Sequence, residues 1–77
     1  MGRLVTVVVV DDRGYGVGGV EVKEYGGEVF KTNSNGVAKL LIDGSYVTIF
    51  VNGFRAYRGS VSSIDGPITV DTCGRDV

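Results

Sequence analysis

The chain has 77 residues, 43% of them hydrophobic, with 13 Gly, one Pro, eight Lys or Arg, nine Asp or Glu and no His. That length holds one domain with a small core. The near-neutral balance excludes the phosphate neutralisation on which duplex nucleic-acid binding depends, and the missing His removes the commonest general base and metal ligand.

What recurs along the chain is a β-rich run followed by a turn cluster about every 8–12 residues, the spacing of an all-β sandwich or barrel. The first run, residues 3–10, sends Val5, Val7 and Val9 one way and Leu4, Thr6, Val8 and Val10 the other. Apolar residues on both faces predict a strand covered on both sides, or an edge that another chain can cover. Asp11-Asp12-Arg13-Gly14 turns the chain, and residues 15–19 make a Gly-rich, flexible connection. The second run, 20–25, points Val20 and Val22 inward and Glu21 and Lys23 outward. Gly26-Gly27 then suits a tight hairpin, because Gly accepts positive φ cheaply. Residues 28–32 return as a third strand, followed by Asn33-Ser34-Asn35-Gly36, the strongest turn in the chain.

In the fourth run, 37–42, Ala38, Leu40 and Ile42 share the face better suited to a core. Asp43-Gly44 leads into 45–51, where Val47, Ile49 and Val51 oppose Tyr46, Thr48 and Phe50. Asn52-Gly53 leads into a sixth strand over 54–62. Asp65-Gly66-Pro67 leads into a seventh over 68–72, with Pro67 at a strand start where a missing N–H is tolerated. Residues 73–77 read as a flexible tail. The expectation is one domain over 1–77, seven strands and no duplicated unit. No run approaches the ~20 apolar residues of a membrane-spanning helix, so membrane insertion is not expected.

The order of these signals resembles that of carboxypeptidase regulatory-like, or transthyretin-like, β-sandwich domains. The resemblance rests on Asp11-Asp12-Arg13-Gly14, Gly19-Val20-Glu21-Val22, Thr32-Asn33-Ser34-Asn35-Gly36-Val37-Ala38, Gly44-Ser45-Tyr46 and Gly53-Phe54, and it covers almost the whole chain. It implies an immunoglobulin-like or transthyretin-like sandwich. It also implies an accessory module of a secreted or surface protein, acting as spacer, adhesive unit or folding aid. In such domains the Tyr packs at the edge of the core, with aliphatic residues two and four positions later. Here the aliphatic residues fall at Val47, Ile49 and Val51, one position off. Without a bulge, that offset turns Phe50 and Tyr46 to the face opposite the aliphatic row.

Residues able to carry chemistry are few. Cys73 stands alone, which forbids an internal disulfide and a structural zinc site; the open alternatives are an incidental thiol or a disulfide between copies. Asn33-x-Asn35-Gly36 is a fragment of a calcium loop without its bidentate Glu, and so reads as a turn. The run Gly14-x-Gly16-x-Gly18-Gly19 lacks the helix a phosphate loop requires. By the same resemblance, the Lys–Asn or Lys–Asp isopeptide bond of some related surface modules would take its Lys from the first strand and its partner from the last. This chain has Arg3 in the first strand and Asp71 in the last, with Lys23, Lys31 and Lys39 elsewhere, so no bond is expected. No cofactor, metal or catalytic activity is expected.

Phe54-Arg55-Ala56-Tyr57-Arg58 interleaves aromatic rings with guanidinium groups, a combination able to hold a sugar or an unstacked base. Strict alternation along this strand puts Phe54, Ala56 and Arg58 on one face and Arg55 with Tyr57 on the other. Two functional readings stay open. In the first, the chain is a non-catalytic interaction module for a protein or glycan, extracellular or at a cell surface, binding through Tyr46, Phe50, Phe54, Arg55, Tyr57 and Arg58. In the second, it is a self-assembling structural subunit that associates through its first strand at Val7 and Val9, with Cys73 as a further link.

Overall fold

The computed structural model describes residues 2–75. The fold is all-β, with β1 (Gly2–Val10), β2 (Glu21–Glu24), β3 (Val29–Lys31), β4 (Val37–Asp43), β5 (Tyr46–Val51), β6 (Phe54–Ser60) and β7 (Ile68–Asp71). Each strand lies where the turn signals place one. The sixth is shorter than expected: it stops at Ser60, and Val61–Ser63 wind into a 3-10 turn.

The strands form two open sheets, β4-β1-β7 and β3-β2-β5-β6. Among the described residues only β1 and β7 pair in parallel. Val5, Val7, Val9, Ala38, Leu40, Ile42 and Val70 from the first sheet share one core with Val22, Val47, Ile49 and Val51 from the second, closed off by Val61 and Ile64. The alternation of small β-branched residues produces this: one face of each strand is apolar, and burying it is the main stabilising term.

Two expectations about β1 are corrected here. The strand is the centre of its sheet and not an edge. Val7 and Val9 are fully buried in the core, so neither is a surface for association. The apolar residues left exposed are on its other face, where Leu4 pairs with Leu41 of β4.

The turns repeat one geometry three times. In 11–15, 33–37 and 71–75 an Asp or Asn oxygen accepts the N–H groups two and four residues on. These are Arg13 and Tyr15 on Asp11, Asn35 and Val37 on Asn33, and Cys73 and Arg75 on Asp71, at 2.8–3.0 Å. In each the fourth residue is a Gly at positive φ, namely Gly14, Gly36 and Gly74. In each, too, that Gly's N–H donates to the carbonyl of the first residue. The Asn33 side chain is thus committed to backbone, as an Asx turn requires.

The third copy corrects the reading of 73–77 as a flexible tail. Residues 72–75 form an ordered loop seated on the β5–β6 turn: Asn52 donates through Nδ2 to the Thr72 carbonyl at 3.3 Å. Gly74 is buried so close to β6 that a Cβ there would sit 3.2 Å from the Phe54 carbonyl. Positions 76 and 77 lie outside the described residues.

The Gly-rich connection is also ordered. A Cβ on Gly16 would run into the Asn35 carbonyl, so that Gly is needed for close backbone approach. The connection is held by buried Thr32, whose hydroxyl donates to the Val17 carbonyl at 2.6 Å and accepts the Val20 N–H at 2.9 Å. At the other end of the molecule, the Arg3 guanidinium donates to the carbonyls of Val61 and Ile64 and ties the crossover into β7 to the start of β1.

Thr32→Val keeps the shape and leaves the Val17 carbonyl and Val20 N–H unmatched. It is expected to cost about 1–3 kcal/mol in urea denaturation, with Thr32→Ser costing less. The two N–H bonds, chiefly that from Arg75, and the Arg75 charge hold the Asp71 carboxyl below its ordinary value of 3.8, with slight burial opposing. A depressed carboxyl stabilises its loop above the ordinary value and loses that contribution as pH falls through the lowered one. An NMR titration is expected to show the Cys73 and Arg75 amides shifting together below pH 3.8. In Asp71→Asn, which keeps the acceptor oxygen without the titration, the joint shift is expected to disappear.

Candidate functional site

Because Val22, Val47, Ile49 and Val51 point into the core, Glu21, Lys23, Tyr46, Thr48 and Phe50 occupy the outer face of the four-stranded sheet. The aliphatic offset at Tyr46 therefore has the consequence expected of it: Tyr46 is 75% exposed, and Phe50 is half-buried on the outer face.

The sheet does contain an irregularity, and it acts on the neighbouring strand. Pairing runs Tyr46–Ser60, Val47–Gly59, Thr48–Arg58 and Ile49–Tyr57, then steps to Phe50–Arg55 and Val51–Phe54, which leaves Ala56 without a partner. One extra residue on an edge strand is a β-bulge, and it inverts the alternation beyond it. Strict alternation puts Arg55 and Arg58 on opposite faces; the bulge brings both to the outer face.

The site is centred on Phe50. Lys23 lies across from it on β2 and Arg55 on β6. One row along, Thr48 has Arg58 on one side, and on the other Tyr25, whose N–H donates to the Thr48 carbonyl at 2.9 Å. The Tyr25 and Phe50 rings meet with centroids 6.4 Å apart and a tilt of 49°. Tyr25, Thr48, Phe50, Arg55 and Arg58 line an open depression of about 450 Å³. Tyr25 and Phe50 also border a second, of about 360 Å³, with Glu21, Lys23 and Gly53.

The charge is lopsided. On the strands of this sheet stand Lys23, Lys31, Arg55 and Arg58, four of the chain's eight cations, against Glu21 and Glu24, and Glu24 lies opposite inward-facing Ile49 rather than in the outer row. A molecule with nearly balanced total charge thus has one cationic face, centred on two rings. Chemically it offers an apolar shelf and forked guanidinium donors suited to carboxylate or sulfate. Among the described residues no cluster of three or more Cys, Asp and Glu is placed to hold a metal ion.

The six aromatic and arginine residues singled out in the sequence do not form one surface. Phe50, Arg55 and Arg58 come together, with Tyr46 on the same face at the far end of β5. Tyr57 turns inward, against expectation: its ring packs on the core and lies beside Gly59, and its hydroxyl donates to the Ser60 carbonyl at 2.7 Å. Phe54 pairs with Val51, not with the outer row, and adjoins the Gly74 loop. Cys73 is exposed in that loop, away from the rings. Sequence reasoning missed Tyr25 and the part played by Lys23. Their outward parity is legible, because both alternate with buried Val22, but their position beside Phe50 depends on β2 pairing with β5.

No protein family, no curated protein and no solved structure matches the chain.

Proposed function

We propose that this chain is a non-catalytic binding module whose outer four-stranded face holds an acidic glycan. The observation that carries the reading is the joining of Arg55 and Arg58 to the Tyr25–Phe50 pair by the bulge at Ala56. Sugar rings present apolar C–H faces that settle on aromatic shelves, and their carboxylates are matched by guanidinium forks. The depression is wide and shallow, which suits an extended chain laid across a sheet. A peptide that adds to a sheet does so at an edge, by main-chain pairing, and the face of a sheet has no free main-chain groups to offer. The two rings lean on each other as a single shelf, which leaves no gap for a base between them.

The wider setting is part of the same proposal. The two sheets make a β-sandwich of the immunoglobulin-like or transthyretin-like kind, and the chain serves as an accessory module of a secreted or surface protein. The order of the turn motifs and the core shared by both inner faces support this.

The test is a titration with oligogalacturonate, followed by amide shifts, with the methyl-esterified oligomer as the neutral control. Shifts are expected to centre on Tyr25, Thr48, Phe50, Arg55 and Arg58 and to be absent with the ester. Arg55→Ala and Arg58→Ala are each expected to weaken binding at least about tenfold, the loss typical of a hydrogen bond to a charged group. Tyr57→Phe is expected to leave affinity unchanged, because that side chain faces inward. If acidic glycans leave these shifts unmoved while an acidic peptide or a single-stranded oligonucleotide moves them, the glycan assignment is wrong and the face is right. If nothing anionic moves them, the face is not a binding site.

A further inference from the structure

The other sheet ends in an edge strand with an unusual pattern. β4 borders only β1. Its outward residues run Val37, Lys39, Leu41 and Asp43, and Leu41 is 67% exposed. Leu4, its cross-strand neighbour on β1, is 59% exposed. Edge strands of soluble proteins usually carry like charges or Pro that discourage pairing. Here Lys39 and Asp43 sit two residues to either side of Leu41, with opposite sign.

That pattern is self-complementary about Leu41. We propose that a second copy of this chain pairs with β4, antiparallel, around a two-fold axis at Leu41. Leu41 then faces the partner's Leu41, and Lys39 faces the partner's Asp43, twice by symmetry. A carboxylate accepts at about four sites, so Asp43 meets this lysine in addition to the interactions it makes within its own chain. Opposite charges directly across an antiparallel pair are favourable, and like charges are not.

The register also agrees with the faces. Because the offset between paired residues is even, Leu40 lies opposite the partner's Ile42, and the buried rows of both copies stay on the same side of the joined sheet. On the outer side the existing Leu4–Leu41 pair extends into an unbroken row of four leucines across the four central strands of the six-stranded sheet. Each Leu41, the most exposed large aliphatic residue among the described residues, gains an apolar neighbour on its open side. A one-residue slip places Lys39 against Ile42 and Leu41 against Leu40, which turns one copy's buried row to the outer side, so the pairing selects its own register. The interface is isologous and closed, giving a dimer and no filament. It lies on the sheet away from the cationic face, so two such faces are carried by each dimer.

Light scattering after size exclusion is expected to give twice 8.1 kDa, with and without reductant. Lys39→Asp and Asp43→Lys are each expected to weaken the dimer at least tenfold. The double variant K39D/D43K is expected to restore it, since the exchanged charges meet again across the axis. Circular dichroism identifies any variant that fails to fold; in that event Leu41→Lys, exposed and remote from the core, replaces it and is expected to give a monomer. A wild-type monomer at 100 µM protein, by order of magnitude the highest level at which such weak pairing still counts, overturns the proposal. So does a dimer that reductant dissolves, a dimer indifferent to the single charge changes, or a double variant that stays monomeric.

Discussion

One hydrogen-bond geometry organises the end of this molecule at which most of its reversals lie: an Asx oxygen accepting the N–H groups two and four residues ahead, completed by a Gly at positive φ. The loops at Asp11, Asn33 and Asp71 all obey it. Because β1 and β7 run in parallel with Val10 opposite Asp71, the Asp11 and Asp71 loops leave the same end of their sheet. The Asn33 loop joins them there, through the Val9 N–H on the Gly36 carbonyl at 2.7 Å. From this rim the chain is sent back across both sheets. The Asp11 loop returns Val17 to the Val9 carbonyl, Thr32 fastens the next segment, and the Asp71 loop reaches the β5–β6 turn through Asn52. The opposite end is held by Arg3 on Val61 and Ile64 and by the Val61 N–H on the Ser45 carbonyl. A small core alone leaves a thin margin at this size, and these tied ends supplement it.

Much of the fold was legible because its signals are local. Alternation identified the buried rows of β2, β4 and β5, and Gly and Asn clusters marked the reversals. What escaped was long-range. The glycines at 14–19 read as flexible because Gly both loosens a chain and permits close approach. Only the contact of Gly16 with the Asn35 carbonyl decides between the two. Asp71-Thr72-Cys73-Gly74 carries the same Asx-x-x-Gly signature as the two loops before it, and could have been read as a third. Its place after the last strand disguised it as a tail. The two-faced valines of β1 signalled a central strand as well as an exposed edge, and periodicity does not separate these.

The candidate site was half legible for a similar reason. The offset between Tyr46 and its aliphatic followers correctly turned Phe50 outward. Strict alternation through residues 54–58 then misplaced Tyr57 and separated the two arginines, because a bulge has no dependable sequence mark. The assembled face also draws on β2 and β5, which are 20 or more residues apart in the chain and adjacent in the sheet. Total charge concealed it further, since the cations gathered on this face are balanced by carboxylates elsewhere, Asp11, Asp12, Asp65 and Asp71 among them.

The proposed binding face therefore depends on one residue's worth of register in β6, and that register is directly observable. Nuclear Overhauser contacts across the β5–β6 pair measure it in solution. The account predicts contacts from Ile49 to Tyr57 and from Phe50 to Arg55, with the Phe50 ring near both arginine side chains and remote from the Ala56 methyl. Contacts from Phe50 to Ala56 in an uninterrupted ladder would contradict it, since Arg55 and Arg58 would then stand on opposite faces of the sheet.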